Sequence, residues 1–262
     1  MDLNIHDKII IVSGGAKGIG EGITRVLAEE GAIPVIVGKD EDDNLALLKE
    51  IIQISGKGFQ VVAELTDPLE CKKAIDLTIA RYGRIDGLIN NAGLNDGVGL
   101  EKGNYEEFMT SLHRNLLHYY LLAHYSLPAL KIAKGSIVNI TSKTAETGQG
   151  HTSGYAAANG ARNALTREWA VELIKYGIRV NAVVVAECWT PQYENWIRTL
   201  PHAESKLEEI KRKIPLGRRM TTTNEIANAV VFLLSGRSSH TTGQLIHVDG
   251  GYVHLDRALV RE

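Results

Sequence analysis

The sequence predicts an α/β fold: a doubly wound, seven-stranded parallel sheet with helices on both faces, in one domain with a small helical lid. Short apolar runs recur along the 262 residues, longer amphipathic stretches separate them, and a glycine-rich turn follows the first run. Apolar runs without polar alternation suit strands that are buried on both faces. Repeated alternation of strand and helix predicts a parallel sheet rather than an antiparallel one.

Seven apolar runs are the predicted strands, and six longer stretches are the predicted main helices. The strands are residues 9–12, 35–37, 61–63, 87–89, 136–140, 179–184 and 245–248. The helices are residues 20–30, 44–55, 69–82, 105–133, 155–176 and 223–235. Because the chain has no internal repeat, low-complexity tract or linker-like segment, residues 1–262 are expected to form a single domain.

Two segments depart from this alternation. Charged and aromatic residues replace the sheet rhythm at residues 187–216, which we predict to be the lid. A tail of residues 252–262 continues beyond the last strand and mixes apolar with charged side chains. We expect this tail to pack against a neighbouring subunit near the pocket.

Composition and charge disfavour several classes of protein. A formal charge of -2 gives no basic field for nucleic acid or for an anionic membrane, so we expect neither partner. The two cysteines, Cys71 and Cys188, have neither metal-ligand spacing nor a redox motif, so no metal site is predicted. The first apolar run is too short for a signal peptide or a membrane span, and we expect a cytoplasmic protein.

The glycine-rich turn at residues 13–20 is the first candidate binding site. Glycine lets the backbone approach a pyrophosphate, and a helix N-terminus offers unpaired N–H groups and a positive dipole end. A strand-to-helix turn can use glycine without any ligand, but its position in a βαβ unit favours a dinucleotide. The residues assigned to this site are Gly14, Lys17, Gly18, Ile19 and Gly20.

The end of the second strand favours NADP over NAD. An acidic residue there would bond the ribose 2′-hydroxyl of NAD and repel the 2′-phosphate of NADP. Gly38 occupies that position, Lys39 follows it, and Lys17 in the glycine turn is also able to reach a 2′-phosphate. The alternative is that both lysines are ordinary surface charges and that Asp40 bonds the 2′-hydroxyl, so NAD stays open as the cofactor.

Further motifs lie at the ends of later strands. Asn-Asn-Ala-Gly at residues 90–93 follows the fourth strand, Asn115 lies in the next long helix, and Ser142 precedes Tyr155 by thirteen residues. Together with the glycine turn and Val-Asp-Gly-Gly at residues 248–251, these motifs resemble the short-chain dehydrogenase/reductase family over essentially the whole chain. The resemblance implies a Rossmann fold, a nicotinamide cofactor and a homotetramer built through the two long helices.

The resemblance also implies roles for individual residues. Tyr155 would be the general acid/base, Ser142 would orient the substrate oxygen, and Asn115 would hold a water in the proton path. The cofactor would be lined by Asn91, Ala92 and Gly93, and its adenine would be flanked by Glu64 and Leu65.

Asn159 departs from the family, which has a lysine four residues after the tyrosine. That lysine bonds the nicotinamide ribose and keeps the tyrosine acidic. A free tyrosine has a pKa of about 10, so only about one in a thousand is ionised at neutral pH. The Asn159 amide is able to bond the ribose but supplies no charge, so a large loss of activity is expected, and Asn159→Lys should restore it.

The loop after the sixth strand is the second departure, because the family usually has Pro-Gly there. This chain has Ala-Glu-Cys-Trp-Thr-Pro at residues 186–191. Cofactor contacts in this loop are mostly made by the backbone, so we expect binding to survive. Cys188 and Thr190 are predicted to lie nearest the nicotinamide carboxamide.

The segments expected to form the pocket are rich in polar and aromatic residues. Several polar groups with aromatic platforms suit a polyhydroxylated ring, since each buried hydroxyl needs a hydrogen-bonding partner. One combination of segments carries a closer resemblance: Asn95-Asp96, residues 142–145, Gln149-Gly150, Ala186-Glu187 and residues 252–259 of the tail. It resembles the sugar dehydrogenases of this family, the L-fucose dehydrogenases above all, which oxidise the anomeric hydroxyl of an aldose to a lactone. The candidate substrate residues are Asn95, Asp96, Gln149, His151, Glu187, Trp189 and Trp196.

Two alternative functions and the role of one histidine stay open at this point. The chain would otherwise be a carbonyl reductase or alcohol dehydrogenase for another small polar substrate. Asn159 would also suit a non-catalytic nucleotide-binding protein that has kept the fold. His151 would be a sugar contact, a substitute titrating group near Tyr155 or an ordinary loop residue.

Overall fold

A computed structural model describes residues 2–255 and contains one sheet of seven parallel strands. The spatial order is β3-β2-β1-β4-β5-β6-β7, which confirms the predicted doubly wound topology and all seven strand positions. The strands are β1 (Ile9–Ser13), β2 (Ile33–Gly38), β3 (Phe59–Val62), β4 (Gly87–Asn90), β5 (Ser136–Ser142), β6 (Arg179–Val185) and β7 (Leu245–Val248).

Helices cover both faces of this sheet, which is why its strands lack polar alternation. Ile9 and Ile11 of β1 pack into one core, whereas Ile10 and Val12 pack into the other, because successive side chains of a strand point in opposite directions. The first core contains α3 (Pro68–Tyr82), α5 (His118–Ala133) and α6 (Ser153–Leu173). The opposite face carries α1 (Gly18–Glu29), α2 (Glu41–Ser55) and α9 (Thr223–Leu234).

The stretch predicted as one helix over residues 105–133 is divided in the structure. It contains α4 (Tyr105–Leu112), a π-helical turn at His113–Leu117 and then α5. A π-turn inserts a residue into the helical hydrogen-bonding pattern and often marks a functional position. Asn115 lies fully buried within this turn, and its backbone carbonyl accepts a hydrogen bond from a side chain outside the helix.

The predicted lid consists of two short helices, α7 (Pro191–Arg198) and α8 (Ala203–Arg212). Thr190 caps α7 by accepting a hydrogen bond from the Tyr193 backbone N–H at 3.2 Å. The first residues of the predicted tail fold back onto their own chain, and residues 256–262 lie outside the described part. Within residues 2–255, no helix combines the length and apolarity needed to cross a membrane.

Candidate active site

The candidate site lies at the carboxyl ends of β1 and β4, where the strand order reverses. The Ser13 hydroxyl accepts hydrogen bonds from the backbone N–H groups of Asn91 at 2.9 Å and Ala92 at 3.1 Å. In return, the Asn91 side chain donates to the carbonyls of Ser13 and Gly14 at 3.0 and 3.1 Å. These bonds hold two of the predicted cofactor-binding segments against each other.

The glycine turn brings its backbone too close for larger residues. A Cβ atom on Gly20 would lie 2.0 Å from the Gly14 carbonyl oxygen, so the close approach of turn and helix requires glycine there. Gly18 has a φ of +57° and lies beside Thr190 of the loop after β6. Ile19 packs against the apolar core and anchors the turn.

The start of α1 fits the pyrophosphate of a nicotinamide nucleotide. The side chain of its N-cap residue, Lys17, makes no capping hydrogen bond, as is also the case at the start of α6 and α8, whereas α2, α3, α4, α7 and α9 each have a side-chain cap. The uncapped N–H groups and the positive end of the helix dipole are therefore free to receive an anion.

Charged residues surround the end of β2, where the adenosine end of a cofactor would lie. Lys17 pairs with Asp43 and, at 3.5 Å, with Asp40, while Lys39 lies 3.8 Å from Glu64. These are exposed pairs, which stabilise little and exchange partners readily. Gly38 ends β2 as predicted, and Leu65 is buried in the core next to Glu64.

The two hydroxyl residues of the predicted chemistry occupy adjoining elements. Ser142 is the last residue of β5, and its hydroxyl accepts a hydrogen bond from the Thr144 backbone N–H at 3.3 Å. Tyr155 is half-buried in the first turn of α6. Since α6 packs on β5 and on the turn that follows β5, both residues lie at the carboxyl edge of the sheet.

Asn159 and Asn115 are joined by a residue that our sequence analysis missed, Arg162. The fully buried Asn159 donates through Nδ2 to the Tyr155 carbonyl at 2.8 Å, and its Oδ1 accepts from Arg162 at 3.1 Å. The Arg162 Nε donates to the Asn115 carbonyl at 2.8 Å. The Asn115 side chain is itself engaged, because Oδ1 accepts from the Leu94 backbone N–H at 2.7 Å.

A buried histidine also holds the loop after β4. His118 bonds the Ala92 carbonyl through Nε2 at 3.0 Å, and Arg162 approaches the same oxygen at 3.5 Å. Burial, together with the positive charge of Arg162, lowers the pKa of His118 to about 3. His118 is therefore neutral at physiological pH, so its Nε2 carries the proton that is donated to Ala92.

Glu187, one of the predicted substrate residues, is already paired within the protein. It forms a buried ion pair with Lys143, which our sequence analysis did not select as a site residue, and it accepts a hydrogen bond from the Tyr193 hydroxyl at 2.6 Å. Burial and the Glu187 carboxylate raise the pKa of Tyr193. The Lys143 ammonium also lies 4.3 Å from the Tyr252 ring centre, so the start of the tail covers this cluster.

Aromatic side chains of the lid form a row beside this ion pair. The ring centres of Trp189 and Tyr193 are 6.2 Å apart, and those of Tyr193 and Trp196 are 5.1 Å apart. Both tryptophans are partly exposed, at 38% and 45%, so a ligand is able to contact them.

The remaining predicted substrate residues differ in exposure: Asp96 is partly buried, whereas Asn95, Gln149 and His151 are exposed. Asp96 is turned towards α4, where it accepts from the Ser111 hydroxyl at 2.8 Å and lies 3.5 Å from Arg114. Asn95 and Gln149 are exposed, and Asn95 caps its own turn. His151 is exposed with a φ of 57°, in the left-handed region.

Cys188 and Thr190 both belong to the loop after β6. Cys188 is buried and forms a backbone bridge with Thr221, and burial raises the pKa of its thiol to about 12. Gly93, at the end of the other loop, lies against Asn115 and Arg162: a Cβ there would be 2.9 Å from the guanidinium. The predicted nicotinamide-binding residues therefore lie in the loop after β4 and in the loop after β6.

Three side chains in the described part of the chain could together hold a metal ion. Glu146, His247 and His254 place their potential ligand atoms within 4.8 Å of one another. The Glu146 carboxylate already accepts a hydrogen bond from the His247 ring at 2.9 Å, and the centres of the two histidine rings are 4.3 Å apart. This cluster ties the tail to the loop that follows Ser142.

Comparison with known proteins extends over nearly the whole chain. A sequence profile described as enoyl-(acyl carrier protein) reductase matches residues 14–253. L-fucose dehydrogenase of Bos taurus is 35% identical over 245 residues, which are 93% of this chain and 88% of that protein. A 3-oxoacyl-(acyl-carrier-protein) reductase of Thermotoga maritima is 35% identical over 253 residues, covering 96% of this chain and 100% of its own. The crystal structure of Cj0485 dehydrogenase has a TM-score of 0.94 at 44% identity and covers 99% of both chains.

Proposed function

We propose a substrate and a reaction from the premise that this chain belongs to the short-chain dehydrogenase/reductase family, whose members are oxidoreductases that use a nicotinamide nucleotide. The reaction is oxidation of the anomeric hydroxyl of an aldose, such as L-fucose, to a lactone. Family membership argues against the alternative of a non-catalytic nucleotide-binding protein.

The proposed chemistry uses two hydroxyl side chains. The Ser142 hydroxyl donates a hydrogen bond to the anomeric oxygen and holds it in place. Tyr155, as the phenolate, removes the proton from that hydroxyl while the carbon–hydrogen bond breaks. The nicotinamide, when bound, accepts the hydride, so the substrate loses two electrons and one proton reaches Tyr155.

The row formed by Trp189, Tyr193 and Trp196 is the observation that favours a sugar as the substrate. It presents partly exposed aromatic faces at the carboxyl edge of the sheet, and the buried Lys143–Glu187 pair fixes its base. Flat apolar faces suit the carbon–hydrogen side of a pyranose ring, while fixed polar groups bond its hydroxyls. The likeness to L-fucose dehydrogenase of Bos taurus supports the same substrate class.

NADP is the proposed preferred cofactor, with NAD as the weaker one. Gly38 leaves no acidic side chain at the end of β2, and Lys17 and Lys39 are exposed beside it. Their present carboxylate partners, Asp40 and Glu64 among them, are exposed and would give way to a 2′-phosphate. Fluorescence titration with both reduced cofactors tests this: equal or tighter binding of NADH would contradict it.

A homotetramer in the cytoplasm completes the proposal. Large apolar side chains are exposed on α5 and at the end of α6: Tyr120 is 52% exposed, Ile132 88% and Val171 74%. Apolar area of this kind on the long helices is typical of a covered interface. Sedimentation analysis should show one species of four chains. The free thiols of the two cysteines suit a reducing compartment.

A second reaction class is favoured by one observation. The 3-oxoacyl-(acyl-carrier-protein) reductase is as similar in identity as the L-fucose dehydrogenase and is covered along its full length. The alternative function is therefore reduction of a carbonyl in another small polar substrate, with Tyr155 as the acid.

A substrate panel separates these reactions. Aldoses, with L-fucose first, are offered with NADP⁺ and NAD⁺, and ketones and 3-oxo thioesters with the reduced cofactors. We expect kcat/KM for an aldose to exceed that for any ketone by at least about tenfold, which is 1.4 kcal/mol of transition-state stabilisation. The double substitution Trp189→Ala/Trp196→Ala should raise the KM for the aldose without weakening cofactor binding. A preference for ketones would support the reductase instead.

A further inference from the structure

Arg162 is a cation buried at the centre of the candidate site, with only 3% of its surface exposed. Among residues 2–255, no carboxylate is paired with it. Its guanidinium instead donates to the carbonyls of Asn115, Ile140 and Ala92 and to the Asn159 side chain. It also lies 4.1 Å from the ring centre of Tyr119.

This environment keeps the guanidinium charged while leaving that charge uncompensated. Arginine does not lose its proton in proteins, and carbonyl dipoles with an aromatic face solvate it without neutralising it. A buried charge without an ionic partner is costly, and such groups are frequent at functional sites. The positive charge therefore acts on the ionisable groups around it.

The position of Arg162 on α6 places that charge on the helical face that also carries Tyr155. Residues 155, 159 and 162 lie on one face of the helix, and helical side chains lean towards the N-terminus. The Arg162 side chain reaches back to the amide oxygen of Asn159, whose Nδ2 is bonded to the Tyr155 carbonyl. Its other contacts include the carbonyls of Asn115 in the π-turn and of Ala92 in the loop after β4.

We propose that Arg162 supplies, from one turn further along α6, the buried positive charge that Asn159 lacks, and that it thereby supports the Tyr155 phenolate. This inference rests on the proposed role of Tyr155 as a general base. Arg162 is a positioning residue, since it acts through Asn159 and the surrounding field.

The other ionisable groups described around Arg162 are either uncharged or already paired with an opposite charge. From α5, His118 is neutral at physiological pH, and burial raises the pKa of Tyr119, so both are uncharged. On α6 the facing group is Tyr155 itself. The turn after β5 carries Lys143, which is already neutralised by Glu187.

A purely structural role is the competing explanation, because Arg162 also ties α6 to the π-turn and to β5. Arg179 provides a matched control for that role. It is a partly buried arginine at the start of β6 that likewise donates to backbone carbonyls, those of Leu233, Leu234 and Ser235. Loss of either arginine should lower the thermal midpoint, but only Arg162 should change the ionisation of Tyr155.

The first experiment measures that ionisation without any substrate. The near-ultraviolet phenolate absorption of each protein is recorded against pH, and the curve of its own Tyr155→Phe partner is subtracted. We expect Arg162→Gln to move the ionisation midpoint upwards by about one pH unit, which is about tenfold less phenolate at neutral pH. Arg162→Lys and Asn159→Lys/Arg162→Gln should recover most of the shift, and Arg179→Gln should show none. An unchanged midpoint in folded Arg162→Gln overturns the proposal.

The second experiment keeps Arg162 in place, so it remains decisive if Arg162→Gln does not fold. Asn159→Lys alone adds a second cation beside the guanidinium. If Arg162 already provides the charge, turnover at neutral pH should rise less than about threefold; a gain of tenfold or more would show that the site had lacked a cation. Turnover is measured with L-fucose and with the best substrate of the panel. A shifted phenolate curve without aldose turnover would refute the proposed substrate and leave the role of Arg162 intact.

Discussion

Lys143 and Glu187 form a buried ion pair that connects the turn after β5 with the loop after β6. Tyr193 of α7 donates to the same carboxylate, so the pair also fixes the base of the lid. The lid is thus attached directly next to Ser142. One buried electrostatic contact therefore links the lid to the turn that follows the candidate substrate-orienting hydroxyl.

Replacing one partner of this ion pair should destabilise the protein more than replacing both. Lys143→Met leaves a buried carboxylate without its cation, and we expect it to lower the free energy of unfolding by about 3 kcal/mol. The double variant Lys143→Met/Glu187→Gln should lose less than the single one, because no unpaired charge remains. Chemical denaturation of the wild type, both single variants and the double variant gives the coupling energy. Additive losses would contradict a coupled pair.

The buried His118 should make the protein less stable in mild acid. Its pKa is about 3 in the folded chain and about 6.5 in the unfolded chain, so the unfolded state binds more protons between those values. Stability is therefore lost as the pH falls below about 6.5, by about 1.4 kcal/mol per pH unit for this one group.

Urea unfolding at pH 6.5 and pH 5 tests this with two matched variants, over an interval where the expected loss from His118 is about 2 kcal/mol. His118→Gln should remove that part of the pH dependence. His124→Gln, an exposed histidine on the same helix, should keep it. Equal pH dependence in the His118 variant and the wild type would mean that another group is responsible.

Both cysteines should resist alkylation in the folded protein. Burial raises the pKa of the Cys71 and Cys188 thiols to about 12, which leaves about a thousandfold less of the reactive thiolate than an exposed cysteine has. Mass spectrometry after iodoacetamide treatment should find little modification until denaturant is added. Rapid labelling of Cys188 alone would show that the loop after β6 opens in solution.

Substitution of Gly20 should weaken cofactor binding. The added Cβ of Gly20→Ala would meet the Gly14 carbonyl oxygen, so the turn must move away from the start of α1. We expect affinity for the nicotinamide nucleotide to fall by at least about tenfold, which is 1.4 kcal/mol. Gly148→Ala is the control, because a Cβ there meets no atom within 4 Å. Titration of cofactor fluorescence measures both variants.

The sequence predicted the sheet and the close-packed glycine turn after β1 well because those features depend on local patterns. Continuous apolar runs identified β1 and β5, and a glycine at position 20 follows from a backbone contact between neighbours in the chain. The π-turn at His113–Leu117 was missed, since helix periodicity does not reveal one inserted residue. Arg162 and Lys143 were missed because charged residues are usually exposed, and only the tertiary packing shows that these two are buried. A signal was nonetheless present: Arg162 lies seven residues after Tyr155, on the same helical face.

The way in which Arg162 reaches back along α6 bears on how relatives of this chain are recognised. A motif search that demands a basic residue four positions after the tyrosine would discard this sequence at Asn159. A search that accepts a basic residue anywhere on that helical face, at the fourth or the seventh position, would retain it. With the role proposed for Arg162, the first criterion alone would class this chain as a pseudoenzyme although its cation lies about one helical turn further along α6.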